Sequence, residues 1–368
     1  QFEHLPQNKK DLTEDPDYLM YFLDTLFLID HKANKTFFVA NALITDSDER
    51  IYDECIRRIE NYKSIIDSRF SGQKNNKKSS NKKSASKISS DTSKEEFIEL
   101  VNKIKNHIIA GDVYQAVLSR TIIAEFEKEP FDVYNKLRQL NPSPYMFYIN
   151  TGDNILLGSS PEMSLRVQGG TEKTIEMRPI AGTKSRGIIN GKIDFDLDSR
   201  FETELKTDPK EVSEHIMLVD LARNDVARIS KPGSRYIDEA LVVEKYSHVQ
   251  HLVTNVMGIL KNDLDALHAY LATMNMGTLT GAPKVEAMKL LRLYEKTKRG
   301  FYGGAVGYIT PSGDLDSAIL IRSINIIGNN AYVRTGAGIV YDSNPENEFL
   351  ETEKKAKACL NAIELAGE

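Results

Sequence analysis

A chain of 368 residues, 40% hydrophobic and 27% charged, can form one large domain or two and bury a sizeable core. Its formal net charge of −5 argues against a general nucleic-acid binder and favours small-molecule chemistry. Two distant cysteines, Cys55 and Cys359, without CxxC spacing or a neighbouring His pair, indicate neither a disulfide framework nor a zinc site, so the reducing cytoplasm is the expected location. The apolar stretch 18–29 is interrupted by Asp24, is too short to span a bilayer, and reads as a strand or buried segment. No secretory pattern opens the chain, and no membrane association is expected. The first residue is Gln1 instead of Met, which leaves open that an amino-terminal portion has been removed.

In chain order, strands are predicted at 26–30 and 35–40. A helix follows over about 48–69, with Ile51, Cys55, Ile59 and Tyr62 on one face, so residues 1–70 read as a partial amino-terminal domain. Residues 71–94 are dominated by Lys, Ser and Asn and cannot build a core. They are predicted as a solvated linker, with a polyanion-binding patch over Lys74 to Lys87 as the sharper alternative. Residues 95–368 would form the catalytic domain.

That domain opens on a capping box, Ser93-Lys-Glu-Glu96. A helical stripe of Phe97, Leu100, Val101, Ile104 and Ile108 then ends at Gly111. Val113-Tyr-Gln-Ala-Val-Leu-Ser119 has the alternation of a strand, and further strands are predicted at 145–150, 154–157, 163–167 and 173–177. Asp208-Pro209 opens a long helix through Leu221. Strands at 303–309, 317–327 and 331–335 and a final helix over about 346–365 complete the pattern. Helices and strands mix without regular βαβ alternation, so the expected class is α+β, with largely antiparallel sheets.

Several segments could carry chemistry. Glu211 and Glu214, in Glu211-Val-Ser-Glu-His215, project from nearly the same helical face, where like charges repel unless solvent or a cation neutralises them. A solvated face is the ordinary reading by spacing alone. Glu348 and Glu351 repeat the spacing, with Lys355 four residues beyond Glu351. They follow what reads as a glycine loop, Thr335-Gly-Ala-Gly-Ile-Val-Tyr-Asp342, able to bring backbone N–H groups close to an anion. Gly158-Ser-Ser-Pro-Glu162 places a carboxylate on a turn. Met276-Gly-Thr-Leu-Thr-Gly-Ala-Pro-Lys284 precedes a helical segment in a way that suits anion binding at its start. His251 stands almost one helical turn from His248, and a structural role is its default.

Taken together these segments resemble the chorismate-utilising enzymes. The likeness covers residue 95 to the end and, more loosely, 1–70. Its motifs occur in family order: Gly111-Asp-Val-Tyr-Gln-Ala-Val-Leu-Ser-Arg120, Gly158-Ser-Ser-Pro-Glu162, Arg178-Pro-Ile-Ala-Gly-Thr183, the segment from Glu211 to Asp225, that from Tyr246 to His251, that from Gly277 to Lys284, and Thr335 to Asp342. The resemblance implies sheets packed as a sandwich with helices outside, chorismate as substrate, and Mg²⁺ as cofactor. By the same resemblance Glu214 and Glu351 would ligate the metal with Glu211 close by. Gly182, Thr183, Tyr302, Arg322, Gly336, Ala337, Gly338 and Lys355 would hold the substrate's carboxylates.

Water-using members of this family look to a lysine at the position of Gln115, whereas ammonia-using members have Gln. Ammonia needs no base to become nucleophilic, so the amide fits amination. Ala181 cannot supply the covalent nucleophile that many aminodeoxychorismate synthases place there. The anthranilate-forming branch is therefore the expected one, with the aminodeoxychorismate-forming branch as the alternative. A silent regulatory or polyanion-binding homologue is the reading from another class. Glu162 would be the acid for the leaving hydroxyl, His251 and Thr278 would assist the elimination, and ammonia would come from a separate glutamine amidotransferase subunit. Pro144, Tyr145 and Met146 match part of a feedback tryptophan site, but its companion Leu-Leu-Glu-Ser-like motif does not occur in this chain.

Overall fold

The computed structural model describes residues 5–6, 10–44, 50–70, 87–246 and 249–366. The chain divides into two compact units, Pro16–Lys82 and Gln1–Asp15 with Lys83–Glu368. In the smaller unit β1 (Thr25–Asp30) pairs antiparallel with β2 (Lys35–Ala40), and α1 (Arg50–Phe70) lies beside β2. Ile51, Cys55 and Ile59 are half-buried, but Tyr62 is exposed. Residues 18–23 form no strand and are not buried: Tyr18, Leu19, Met20, Tyr21, Phe22 and Leu23 are all exposed. One two-stranded sheet and one helix within this unit offer too little surface to cover them. Most of the lysine-rich stretch, residues 71–86, lies outside the described residues.

The larger unit begins its regular structure with β3 (Ile88–Ser90) and α2 (Lys94–Ala110). Both halves of the capping box are made, and Gly111 takes φ 85° to close the helix, a left-handed conformation that a side chain would disfavour. Then come β4 (Gln115–Glu125), α3 (Pro130–Leu140), β5 (Tyr145–Asn150), β6 (Asn154–Ser160), β7 (Met163–Gln168), β8 (Thr174–Met177) and β9 (Ile180–Ser185). A small hairpin of β10 (Ile188–Ile189) and β11 (Lys192–Ile193) leads into α4 (Phe195–Thr207) and α5 (Pro209–Ile229). Asp208 caps α5 through the N–H groups of Lys210 and Glu211, and this helix runs two turns past its predicted end.

β12 (Tyr236–Ile237), β13 (Val242–Lys245), β14 (Val249–Val253), β15 (Val256–Ile259), α6 (Ala266–Thr273), α7 (Gly277–Thr280), β16 (Gly281–Ala282) and α8 (Lys284–Tyr294) follow. The chain ends in β17 (Ala305–Ile309), β18 (Leu315–Ile319), β19 (Ser323–Ile327), β20 (Asn330–Ile339) and α9 (Pro345–Leu365). The single strand expected at 317–327 is thus two strands, broken at Leu320-Ile321-Arg322, where Arg322 takes φ 49°.

All described strand pairs are antiparallel. One sheet runs β16-β4-β20-β19-β6-β5, with β3 also on β4, a second runs β12-β15-β8-β7-β18-β17, and β13-β14-β9 form a third. Helices α5 and α6 bury Val219, Ala222, Val226, Ile229, Ala266 and Ala269 on the second sheet, against Leu165, Val167, Ile175 and Met177. The first sheet is covered by α3 and α9 near Ile122, Leu157, Ile324 and Val333, and by α2 and α8 near Ala116, Leu118, Ala337 and Ile339. The architecture is the expected α+β one, antiparallel sheets with helices outside.

β4 and β20 explain where the polar residues go. Their helix-facing positions are apolar at Ala116, Leu118, Ile122 and Ala124 and at Ala331, Val333, Ala337 and Ile339, the exceptions being Arg120 and Thr335, which hydrogen-bond to Thr352 of α9. The opposite face carries Gln115, Ser119 and Thr121 from β4 and Arg334, Gly336 and Gly338 from β20. The alternation read in the sequence is therefore one of chemistry: β4 is buried on both faces as far as Ile122.

Candidate active site

The polar face of β4 and β20 forms one wall of the candidate site. Gly336-Ala-Gly338 is not a loop but lies within β20, paired to Ser119, Leu118 and Val117. Both glycines are needed for close approach. A Cβ at Gly338 would stand 2.6 Å from Gln115 Nε2, and one at Gly336 would stand 2.9 Å from both the Leu118 carbonyl and the Tyr302 hydroxyl. Ala337 points the other way, into the core beneath α2 and α8, where it is fully buried. Its side chain is thus structural, and only its backbone is available to the site.

Helix α5 brings its carboxylates to this wall. The Gln115 amide donates to Glu214 at 3.4 Å, while Gln115 Oε1 is buried without a hydrogen-bond partner. Burial and then the neighbouring Glu211 and Glu351 raise the Glu214 carboxyl above its ordinary value. Glu211 is raised by burial and then by Asp208, with Glu351 contributing. On α9, Lys355 Nζ donates to the Gly336 carbonyl at 3.1 Å and pairs with Glu351 at 2.6 Å. Repelling carboxylates with hard oxygen donors fit a divalent cation such as Mg²⁺. Among the described residues no three such side chains already stand as a coordination cluster, since Glu351 is turned to Lys355.

The opposite wall comes from the β9–β14 pair. Gly182 takes φ 70° at the irregularity where His251 pairs with Thr183 and Leu252 with Ala181, and a Cβ there would meet Glu211 Oε2 at 3.0 Å. His251 lies in a strand and not on a helix, and His248 falls outside the described residues. The His251 Nδ1 stands 3.0 Å from Thr183 Oγ1 and 3.1 Å from the Gly182 carbonyl, and burial lowers its pKa. Ala181 is buried in β9.

Glu162, on the turn between β6 and β7, is 6% exposed, and its Oε1 makes no hydrogen bond. Burial pushes its carboxyl up to about 8, against the opposing pull of Thr278, the Ile180 backbone, Lys355 and Arg322. The acid therefore keeps its proton at neutral pH. The Thr278 hydroxyl, on α7, lies beside it without completing a hydrogen bond of good geometry. Arg322 is itself mostly buried, which lowers its pKa, and it reaches Asn141 Oδ1 at 3.4 Å. Lys284, at the start of α8, pairs with Asp225 and donates to the Thr273 carbonyl at 3.0 Å.

Pro144, Tyr145 and Met146 sit at the start of β5. Their side of the first sheet is tied to the second through the Tyr145 hydroxyl, which donates to Asp316 at 3.0 Å and accepts from Arg166 at 3.4 Å.

One buried group escaped the motif reading. Glu295 accepts from the Ser119 N–H at 2.9 Å, from Arg299 at 2.6 and 2.9 Å and from Arg334 at 3.1 Å, and the Arg299 guanidinium lies 5.7 Å over the Tyr302 ring. Its sequence signals are Arg299, four residues on, and Arg334, a charge inside an apolar strand, which demands a buried partner. That partner is 39 residues away in the chain.

Residues 1–361 match the model of the chorismate binding enzyme family. The chain is 45% identical over 363 residues to anthranilate synthase component 1 of Vibrio cholerae, covering 98% of this chain and 68% of that protein. It is 46% identical over 369 residues to the protein of the same name from Buchnera aphidicola subsp. Rhopalosiphum maidis, covering 99% and 69%. Anthranilate synthase component I from Streptococcus pneumoniae superposes with a TM-score of 0.84 at 33% identity, over 97% of this chain and 76% of that one. The chain belongs to the chorismate-binding enzyme family.

Proposed function

We propose that this chain is the chorismate-aminating component of an anthranilate synthase, converting chorismate and ammonia to anthranilate, pyruvate and water. The near-full-length likeness to anthranilate synthase components supports the reaction, and one observation carries the site reading. Glu162 is a buried acid that stays protonated at neutral pH, and the cations Arg322 and Lys355 both lie within electrostatic reach of it. Such an acid can give its proton to the C4 hydroxyl as it leaves, while nitrogen bonds to C2.

The remaining residues divide the work by position. Lys355, Arg322, Tyr302, Thr183 and the backbone at Gly182, Gly336 and Gly338 hold the carboxylates, with Ala337 contributing only main chain. Gln115 presents an unpartnered acceptor to the nitrogen. In the second stage the ring loses its C2 proton and pyruvate departs. His251, held neutral by burial and oriented by Thr183 and the Gly182 carbonyl, is placed to assist with Thr278. Glu214 and Glu351, with Glu211, would hold Mg²⁺, which when bound supplies positive charge to the ring carboxylate and draws electron density from the ring.

The ammonia would come from a glutamine amidotransferase subunit. Pro144, Tyr145 and Met146 would contribute to a tryptophan site. The expected setting is cytoplasmic. Among the described residues no helix is long and apolar enough to cross a membrane.

Product identification from chorismate and ammonium salts, with Mg²⁺ and again with chelator, tests the reading. Anthranilate and pyruvate formed only with Mg²⁺ support it. Accumulated 4-amino-4-deoxychorismate would move the chain to the other aminating branch, and an absence of turnover would sink the enzymatic assignment.

A further inference from the structure

Between α8 and β17 the chain makes a tight turn in which the Tyr302 N–H donates to the Arg299 carbonyl at 3.1 Å. The largely buried Arg299 side chain does more than neutralise Glu295. Its Nε and Nη2 donate to the two Glu295 oxygens at 2.9 and 2.6 Å. Nη2 also donates to the Val117 carbonyl, and Nη1 to the Leu279 carbonyl, each at 2.6 Å. The guanidinium carbon stands 5.7 Å from the centre of the Tyr302 ring, close enough for a cation–π contact.

Each contact leads to a group already placed in the site. Leu279 directly follows Thr278 on α7, a single turn of four residues that is too short to hold its own geometry, so a donor from outside fixes where it sits. Val117 pairs with Gly338 across β4 and β20, and Gln115 lies two residues before it. Tyr302 brings its hydroxyl to Gly336, where a Cβ would stand 2.9 Å away. Burial pushes that phenol up to about 12, so it keeps a proton to donate to a carboxylate. Arg334, the other cation on Glu295, turns its remaining donors elsewhere, to Ser119, Thr121 and the backbone of Thr297 and Lys298. The two arginines share one anion, but only Arg299 touches both α7 and Tyr302.

We propose that Arg299 is a positioning residue that fixes Tyr302 and Thr278 against the Gly336–Gly338 strand, and so sets the groups that hold the substrate's carboxylate against the one that assists elimination. The inference rests on the aminating function proposed above and adds a residue that reaches the substrate only through its neighbours. A lysine at this position could supply the charge, but its compact ammonium lacks the planar fork that meets a carboxylate and two carbonyls on different elements at once.

Arg299→Lys, assayed in the full chain with chorismate, ammonium and Mg²⁺, tests the assignment through its products. Loss of the Leu279 anchor should slow the departure of pyruvate more than the amination. The C2-aminated ring that still carries its enolpyruvyl group should therefore rise roughly fivefold or more relative to anthranilate, and the freed Tyr302 should raise the chorismate KM roughly threefold or more. The product ratio is read from folded molecules only, so a lower protein yield does not obscure it, and Arg299→Gln gives the same reading if the lysine variant does not fold. In a Thr278→Val background Arg299→Lys should change the ratio by less than about twofold, because the residue it acts through is gone. An unchanged product ratio or an unchanged chorismate KM, whatever the fall in stability, would overturn the proposal, as would full additivity with Thr278→Val. Failure of the parent chain to aminate chorismate at all is a distinct result that strikes the functional reading and this inference with it.

Discussion

Glu162 and Glu295 are both 6% exposed, and they end on opposite sides of the ordinary carboxylate range. Burial disfavours the charged form of each. At Glu162 it wins, because one oxygen has no partner and the nearest cations act only at a distance. At Glu295 the guanidiniums of Arg299 and Arg334, with Ser119, more than offset burial and hold the carboxyl below its usual value. Equal burial therefore yields a proton donor in one place and a structural anion in the other, and the number of cationic hydrogen-bond donors decides which.

The largest expected effect breaks the donor. Glu162→Gln keeps the shape of the neutral acid but has no proton to give, so turnover should fall by about two to four orders of magnitude with the fold intact. In the parent the rate should also decline as pH rises through about 8, because the protonated form is the working one. Steady-state kinetics over pH 6 to 9 measures both. A variant within tenfold of the parent would remove Glu162 from the chemistry.

Next in size is Glu295→Ala, which leaves Arg299 and Arg334 buried without their anion and should cost about 3–5 kcal/mol in urea denaturation. A loss under about 1 kcal/mol would mean that water or rearrangement satisfies the two guanidiniums, and that the contrast between the two glutamates is shallower than their contacts imply.

A smaller effect is expected at the glycine between these sites. The Cβ of Gly338→Ala would stand 2.6 Å from Gln115 Nε2, the end of a flexible side chain that can turn away, so stability should change little. Displacing the amide from Glu214 should raise the ammonium KM roughly tenfold, about 1.4 kcal/mol. A chorismate KM that rises instead would show that Gly338 serves the carboxylates and not the nitrogen.

Local signals in the sequence were readable where the physics is local. The capping box at Ser93 and Glu96, the left-handed Gly111 and the Asp208-Pro209 start all appear as expected, because each depends on residues within one turn. Gly336 and Gly338 misled as a loop because glycine marks turns in general. Here it is required by the Tyr302 hydroxyl and the Gln115 amide, which approach from other elements. The spacing of His251 from His248 carries no information about its role, because His251 lies in a strand. Apart from Arg299, four residues on, the partners of Glu295 lie 39 and 176 residues away, and these contacts, like the unpartnered state of Glu162, are properties of packing between distant segments that no window of sequence displays.

The last prediction uses stability to set the two carboxyls against each other. Glu162 has a folded-state pKa of about 8, above its ordinary 4.5, so between those values the native state holds a proton that the unfolded chain has released. Its favourable contribution is full below the unfolded value and is lost as pH rises through about 8, by at most about 1.4 kcal/mol per pH unit. Glu295 has the opposite sign: its contribution is present above the unfolded pKa and is lost as pH falls through its lowered folded value. Glu162→Gln removes only the first of these. Its stability relative to the parent should therefore climb steadily from pH 5 to pH 8 while both proteins keep the same acid-side loss, a comparison read from urea midpoints at each pH. Parallel profiles across that window would mean that the Glu162 carboxyl ionises near its ordinary value, and the acid assigned to the leaving hydroxyl would have to be sought elsewhere in the site.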